Sequence, residues 1–234
     1  MAFAEATAGA LSPAAEARQN SLISRVYAWM TAGLAVTGAT AAFTATTPAL
    51  LNLVYGNALV LILLLVAQVA LVIAISAAIN RLTAATATAL FLLYAALNGV
   101  TLASVLLTFT GASIALTFFI TAGTFAAMSL YGSITKRDLT AVGNLAFMVL
   151  IGIILGSLVN LFLRNELIYW LLTFAGVGVF VGLIAYDTQK IKRILSRGLE
   201  GEAAGRAVIL GALALYLDFV NLFLNLLRIF GRRR

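Results

Sequence analysis

Seven long apolar stretches, at about 25–46, 58–80, 83–109, 113–133, 139–163, 167–189 and 207–230, leave this chain few ways to fold. Each has the length of about 20 residues that an α-helix needs to cross hydrocarbon. In lipid every backbone N–H and C=O must be satisfied internally, so a chain of this pattern spans as helices. The sequence therefore predicts an all-α integral membrane protein of seven transmembrane helices. Its 63% hydrophobic and 10% charged residues agree, since a soluble domain has about 45–50% and about 25%. The separators are short: the Thr-Thr-Pro around Pro48, Asn80-Arg81, Thr110-Gly111, Thr135 to Asp138, Arg164 to Glu166, and the charged run from Lys190 to Arg206. None holds a domain. The organisation read from this is a cytoplasmic tail over 1–24 and one seven-helix domain over 25–234. The tail carries Glu5, Glu16 and Arg18 without an apolar core, so it does not read as a cleaved signal peptide. Gly152-xxx-Gly156 and Gly178-xxx-Gly182 place small residues one turn apart, a pattern expected where helices approach closely.

The chain has neither Cys nor His. That excludes disulfides, thiolate nucleophiles, imidazole zinc sites and His-dependent triads. Ser and Thr are left without an evident base, so no enzyme and no cofactor are expected. An intramembrane aspartyl protease is a formal alternative, but Asp218 lacks the Gly-rich neighbourhood it needs. The net charge of +7 reads as topology rather than a nucleic-acid site. With the N-terminus cytoplasmic, the inner segments hold Arg18, Arg25, Arg81, Lys136, Arg137, Lys190, Lys192, Arg193, Arg197 and Arg206, while the outer loops hold only Arg164. Seven full crossings put Arg228 and Arg232 to Arg234 outside, against the simplest charge rule; a re-entrant last segment is the alternative. Seven crossings are favoured because 207–230 is long enough to span.

A carboxylate in hydrocarbon costs a few kcal/mol or more, so an intramembrane acid is a functional hypothesis by default. Asp187 lies toward the inner end of the sixth span. Asp218 lies about 16 Å into the seventh, near mid-membrane. Asp218, Asn221, Asn225 and Arg228 follow spacings of three, four and three, which places them in one stripe on an otherwise apolar helix. Such a helix is expected at the centre, with its stripe turned from lipid. Tyr186 and Tyr216, beside the two aspartates, are counted with this polar set. Arg81 ends the second span at the face where the sixth ends, so a pair with Asp187 is expected. The plainer alternatives are an Asp187–Lys190 pair one turn apart at the surface and Arg81 as a simple anchor.

Ser129-Leu-Tyr-Gly-Ser-Ile-Thr-Lys-Arg-Asp-Leu, Ala185-Tyr-Asp-Thr-Gln-Lys-Ile-Lys and Ala214-Leu-Tyr-Leu-Asp-Phe-Val-Asn-Leu-Phe-Leu-Asn-Leu-Leu-Arg-Ile-Phe-Gly closely resemble the Bax inhibitor-1, or transmembrane Bax inhibitor motif, family, in particular its bacterial inner-membrane branch. The resemblance runs from about Val26 to the C-terminus. It implies seven helices with the last enclosed by the other six, and a pH-sensitive calcium leak controlled by an aspartate pair that Asp187 and Asp218 match. It also implies that Arg81 stands where an arginine latches the closed form, an inference resting on spacing from Asn98-Gly99. The second span is polar only at Gln68, so a further acidic pathway residue is absent there.

The leading expectation is thus a calcium-permeable leak gated by protons at Asp187 and Asp218 with Arg81 as latch. Two carboxylates supply only part of the six to eight oxygens that Ca²⁺ prefers, which favours weak transit over storage. A regulatory interaction protein, such as a modulator of a membrane protease, and a proton-coupled transporter of a small solute are the competing readings. Expected partners are lipid, Ca²⁺, H⁺ and such a membrane protein, with no nucleic acid, in a monomer or weak oligomer.

Overall fold

A computed structural model describes residues 13–234. All seven expected spans are present as helices long and apolar enough to cross a membrane. They are α1 (Pro13–Thr46), α3 (Ala58–Ala78, continued by a 3-10 turn over Ile79–Arg81), α4 (Ala84–Thr108), α5 (Gly111–Ile134), α6 (Thr140–Leu163), α7 (Glu166–Leu195) and α8 (Gly201–Phe230); the short α2 (Pro48–Tyr55) follows α1. Proline at its first turn and Thr47 in extended conformation start α2. At eight residues it is too short to cross, and it lies where a plain connection is expected. Its Tyr55 hydroxyl lies 2.9 Å from the carbonyl oxygens of Val100 and Thr101 and accepts from Ser104 N–H at 3.0 Å, which pins α2 to α4.

Asn57, Thr83, Thr110 and Asn165 accept backbone N–H groups at the starts of α3, α4, α5 and α7. These caps explain why the short polar separators suffice to end one span and begin the next. α1 starts at Pro13 rather than near residue 25. Residues 13–24 of the expected tail are therefore helical, and its first twelve residues lie outside the described ones. Arg18 pairs with Glu200, and Gln19 donates to the Lys192 carbonyl at 2.9 Å, so this extension docks on the α7–α8 connection.

The seven spans alternate in direction. The start of α1 and the connections around Arg81, Arg137 and Glu200 share one end of the bundle, here called the N-face. The opposite end, the C-face, carries α2, the α4–α5 and α6–α7 connections and the end of α8. α8 is unbroken over 30 residues, about 45 Å, which is long enough to cross completely. Its C-terminal tail is held at the C-face: Thr110 N–H donates to Arg232 O and Arg234 N–H to Thr108 O, both at 2.9 Å.

Within α8, 61% of the most apolar window is buried, against 6–33% in the other spans. It packs chiefly on α1, α4, α5 and α7. The enclosure by six helices implied by the family resemblance narrows to four principal neighbours. α3 and α6 stand outside, 11% and 6% buried, with side chains such as Phe147 and Met148 turned outward toward lipid.

The expected glycine pairs do not mark the closest approaches. Gly152 and Gly178 face open space, whereas Gly132 lies directly on the Ala185 carbonyl, so α5 meets α7 where no side chain fits. Gly132→Val is expected to destabilise the protein by about 1–3 kcal/mol or prevent its accumulation, while Gly178→Val has little effect. Thermal unfolding of the purified variants in detergent reads the difference.

Candidate functional site

The site lies on the seam between the antiparallel α7 and α8. A Cβ on Gly211 would sit 3.2 Å from Ile191 Cδ1, and one on Gly176 2.8 Å from Asn225 Oδ1. These two contacts fix the register: Asp187 is level with Ala214 and Leu215, and Asp218 with Leu183 and Ile184. Asp218 therefore lies about one helical turn, or about 5 Å, deeper along the bundle axis than Asp187.

The carboxylates have different surroundings. Asp187 is half-buried and lines a cleft of about 270 Å³ at the N-face, together with Asn80, Lys190, Arg206, Gly211 and Ala214. Asp218 is 4% exposed, and its Oδ2 has no hydrogen-bond partner. The register puts the two aspartates about one turn apart on neighbouring helices, with a half-buried outer member on the cleft and a buried inner one.

The predicted stripe of α8 runs down this seam. The Asn225 amide lies against Gly176, and the Arg228 guanidinium sits 5.8 Å from the centre of the Tyr169 ring. Asn221 and Asn225 donate to the carbonyls one turn back, Leu217 O and Asn221 O, each at 2.8 Å. The two tyrosines do not belong to the stripe. Tyr216 points to the other side of α8, 2.6 Å from the Thr37 hydroxyl and edge-on to Phe91 and Tyr94. The Tyr186 ring lies on Gly143 of α6, with Lys190 Nζ 5.5 Å above it. Neighbours in sequence on a helix point about 100° apart, which separates each tyrosine from its aspartate. Gln68 is buried and donates to Leu64 O within its own helix.

The expected Arg81–Asp187 pair is not formed. Arg81 is exposed in its 3-10 turn, and the described residues hold only two ion pairs, Arg18–Glu200 and Arg193–Asp138. Asp187 and Lys190 are not directly paired either. The arginine in the Asp187 cleft is Arg206, whose Nη1 donates to Leu82 O at 3.2 Å and lies 3.5 Å from Asn80 O. Sequence reasoning counted Arg206 among the topological charges. The available signal was its i, i+4, i+8 spacing to Leu210 and Ala214, which share its face of α8 and line the same cleft.

A second set of residues holds the inner end of α7. Gln189 accepts from Leu139 N–H at 2.9 Å and donates to Arg137 O at 2.8 Å. Lys192 Nζ donates to Ser133 O at 2.7 Å, Arg193 meets Asp138 at 3.1 Å, and Thr188 donates to Ser129 at 3.3 Å. The segments 129–139 and 185–192 are therefore two halves of one clamp that fixes the helix bearing Asp187. Hydrogen bonds from the Thr140 side chain and backbone, then Arg193, hold the Asp138 carboxyl down from its ordinary 3.8 to about 2. A group depressed in this way lends stability that is full above about pH 4 and is lost as pH falls toward 2. Asp138 stays charged across pH 5–8, so Asp138→Asn is expected to leave the shape of any pH response in that range unchanged. Gln189→Ala is expected to speed amide hydrogen exchange over 135–140 by freeing the connector.

Among the described residues no three acidic or other metal-ligating side chains gather. Two carboxylates with the nearby amides make a sparse oxygen set, suited to brief contact with a hydrated divalent cation.

The chain matches the family model described as inhibitor of apoptosis-promoting Bax1 over residues 19–234. It is 53% identical over 214 residues to inner membrane protein YbhL of Escherichia coli (strain K12), covering 91% of this chain and 92% of the relative. An uncharacterized protein of Borreliella burgdorferi is 43% identical over 218 residues, covering 92% and 94%. One from Deinococcus radiodurans is 43% identical over 213 residues, covering 91% of each.

Proposed function

This chain belongs to the Bax inhibitor family of membrane proteins, and from that premise we propose that it is a pH-sensitive calcium leak channel gated by Asp187 and Asp218. The observation that carries the reading is the Asp218 carboxylate, buried at the level of Leu183 with Oδ2 unpartnered, one turn inward of an acid that lines an open cleft. A protein that keeps such a group in its most buried helix forgoes stability there, and the usual return is function.

The mechanism follows from what each protonation state can bond to. Two ionised carboxylates one turn apart on facing helices repel each other and present only acceptors. They attract a hydrated cation into the seam and favour separation of α7 from α8. A proton on either acid removes the repulsion and supplies one O–H donor, so the helices close and the cation loses its ligands. Arg206, at the mouth of the cleft, biases this balance by its positive charge; Arg81 acts as latch only in a conformation that carries it to the cleft. The reading is non-enzymatic. It places the protein in a bacterial inner membrane with the basic N-face toward the cytoplasm, in keeping with the charge count and the name of the Escherichia coli relative.

Liposomes loaded with a calcium indicator test the proposal. Wild-type protein is expected to admit Ca²⁺ in a pH-dependent manner across pH 5–8. Asp218→Asn is expected to abolish that dependence, and Arg206→Ala to shift it more than Arg81→Ala does. Folded protein that passes no more Ca²⁺ than empty liposomes overturns the channel reading and leaves a non-conducting regulatory protein in its place.

A further inference from the structure

The C-face carries a feature that the aspartate seam does not use. A cleft of about 580 Å³ lies between the α6–α7 turn and the end of α8, lined by Arg164, Arg228 and Arg233 with Tyr169 and Trp170. Glu166 is its one acid, and it accepts from Trp170 Nε1 at 3.4 Å. Among the described residues none of the three arginines has an ion-pair partner. We propose that this cleft binds the phosphate of an anionic phospholipid headgroup.

Three elements bring the arginines together, and each is fixed independently. Arg164 closes α6 in the left-handed conformation, φ 50°, and its N–H donates to Asn160 O at 2.8 Å. Glycine is the usual residue at such a position, and an arginine there accepts backbone strain. Asn165 N–H donates to Asn160 Oδ1 at 2.9 Å, which holds the turn. Arg228 stacks on Tyr169, and Arg233 is placed by the antiparallel bridge of the tail to Phe109. The result is three arginines, held at their backbones and in Arg228 also by Tyr169, around one space large enough for a phosphodiester, which their guanidinium groups match by charge and by paired N–H donors.

The surroundings identify the phosphate as a lipid's. Phe162, Leu163 and Leu167 beside the cleft are 83%, 61% and 68% exposed, and they continue into the outward faces of α6 and α7. Acyl chains have a surface to follow directly below the headgroup. Tyr169 and Trp170 stand at the end of the spans, the level at which such aromatics meet the membrane interface. Basic pockets between spans at that level suit anionic headgroups.

The test titrates purified protein in detergent with a phosphatidylglycerol and, separately, a phosphatidylcholine of the same chains, counting bound lipid by native mass spectrometry. Phosphatidylglycerol is expected to bind at least tenfold more tightly. Arg228→Gln and Arg233→Gln should each weaken it about tenfold. Arg164→Gly removes the side chain while relieving the left-handed strain, so it should stay folded yet lose binding to the same degree. Arg197→Gln, on the N-face, should change nothing. Retention of phosphatidylglycerol by the folded Arg164→Gly/Arg228→Gln double variant overturns the site. Competition by glycerol 3-phosphate at lipid-like concentrations overturns the lipid assignment and makes the occupant a soluble phosphate ester.

Discussion

Polar groups in the hydrocarbon must find partners inside the protein, and in this bundle most find them one turn back on their own helix. Thr37, Thr40, Thr88, Thr121, Thr124, Thr173, Gln68, Asn221 and Asn225 all donate to the carbonyl four residues earlier. Each side chain has an N–H or O–H to give, so a polar residue in a span needs no partner helix. An ionised carboxylate has none. Asp218 lies on the same α8 face as Asn221 and Asn225, yet it cannot use the Ala214 carbonyl as they use theirs. Its Oδ2 is unpartnered, as are the buried Thr44 and Thr117 hydroxyls among the described residues, but of the three only the carboxylate has no donor of its own to turn to a carbonyl. Protonation alone gives it the donor that every other buried polar side chain of that stripe already has.

The rest of the fold is arranged so that this residue stays dry while Asp187 does not. α8 carries the heaviest burial of the seven spans, and small residues on both sides of the seam keep α7 close to it. At the N-face, beside the close contact of Gly211 with Ile191, Leu210 and Ala214 line the Asp187 cleft together with Arg206. The clamp formed by Gln189, Lys192 and Arg193 fixes α7 just beyond Asp187. The register of the two carboxylates is thereby set from outside the membrane, where hydrogen bonds to exposed backbone can be made and broken against water.

The spans, the two aspartates and the α8 stripe were legible in the sequence because each rests on a one-dimensional rule: length of apolar run, rarity of intramembrane charge, and helical period. What was hidden depends on which helix faces which. Arg206 and Arg81 are both basic residues at the same face, and only the register of α8 against α7 puts Arg206 on the cleft. Tyr186 and Tyr216 adjoin the acids in sequence but point to α6 and to α1 and α4. The glycine spacing of 152/156 and 178/182 marks a helix approach through one member of each pair, Gly156 beside Leu172 and Gly182 beside Val142, while Gly152 and Gly178 face open space and the tightest backbone contact belongs to the single Gly132 on the Ala185 carbonyl. The helix α2 escaped because eight residues between two spans carry no membrane-length signal.

The seam differs in charge along its length. At the N-face end Asp187 and Asp218 are offset by Lys190 and Arg206 of the Asp187 cleft, whereas at the C-face end Arg228 lies on the stripe with Arg164 and Arg233 around it and Glu166 as the one acid. On the proposed channel reading, a cation drawn to Asp187 and Asp218 meets rising positive potential beyond Asn221 and Asn225, toward Arg228. Arginines at a pore mouth oppose cations for this reason. On that reading, the C-face arginines oppose cation passage along α7 and α8. On the two proposals taken together, a phosphodiester seated among them, with its single negative charge, offsets part of that positive potential without any change in the helices and so lowers the opposition to a cation leaving the inner acids.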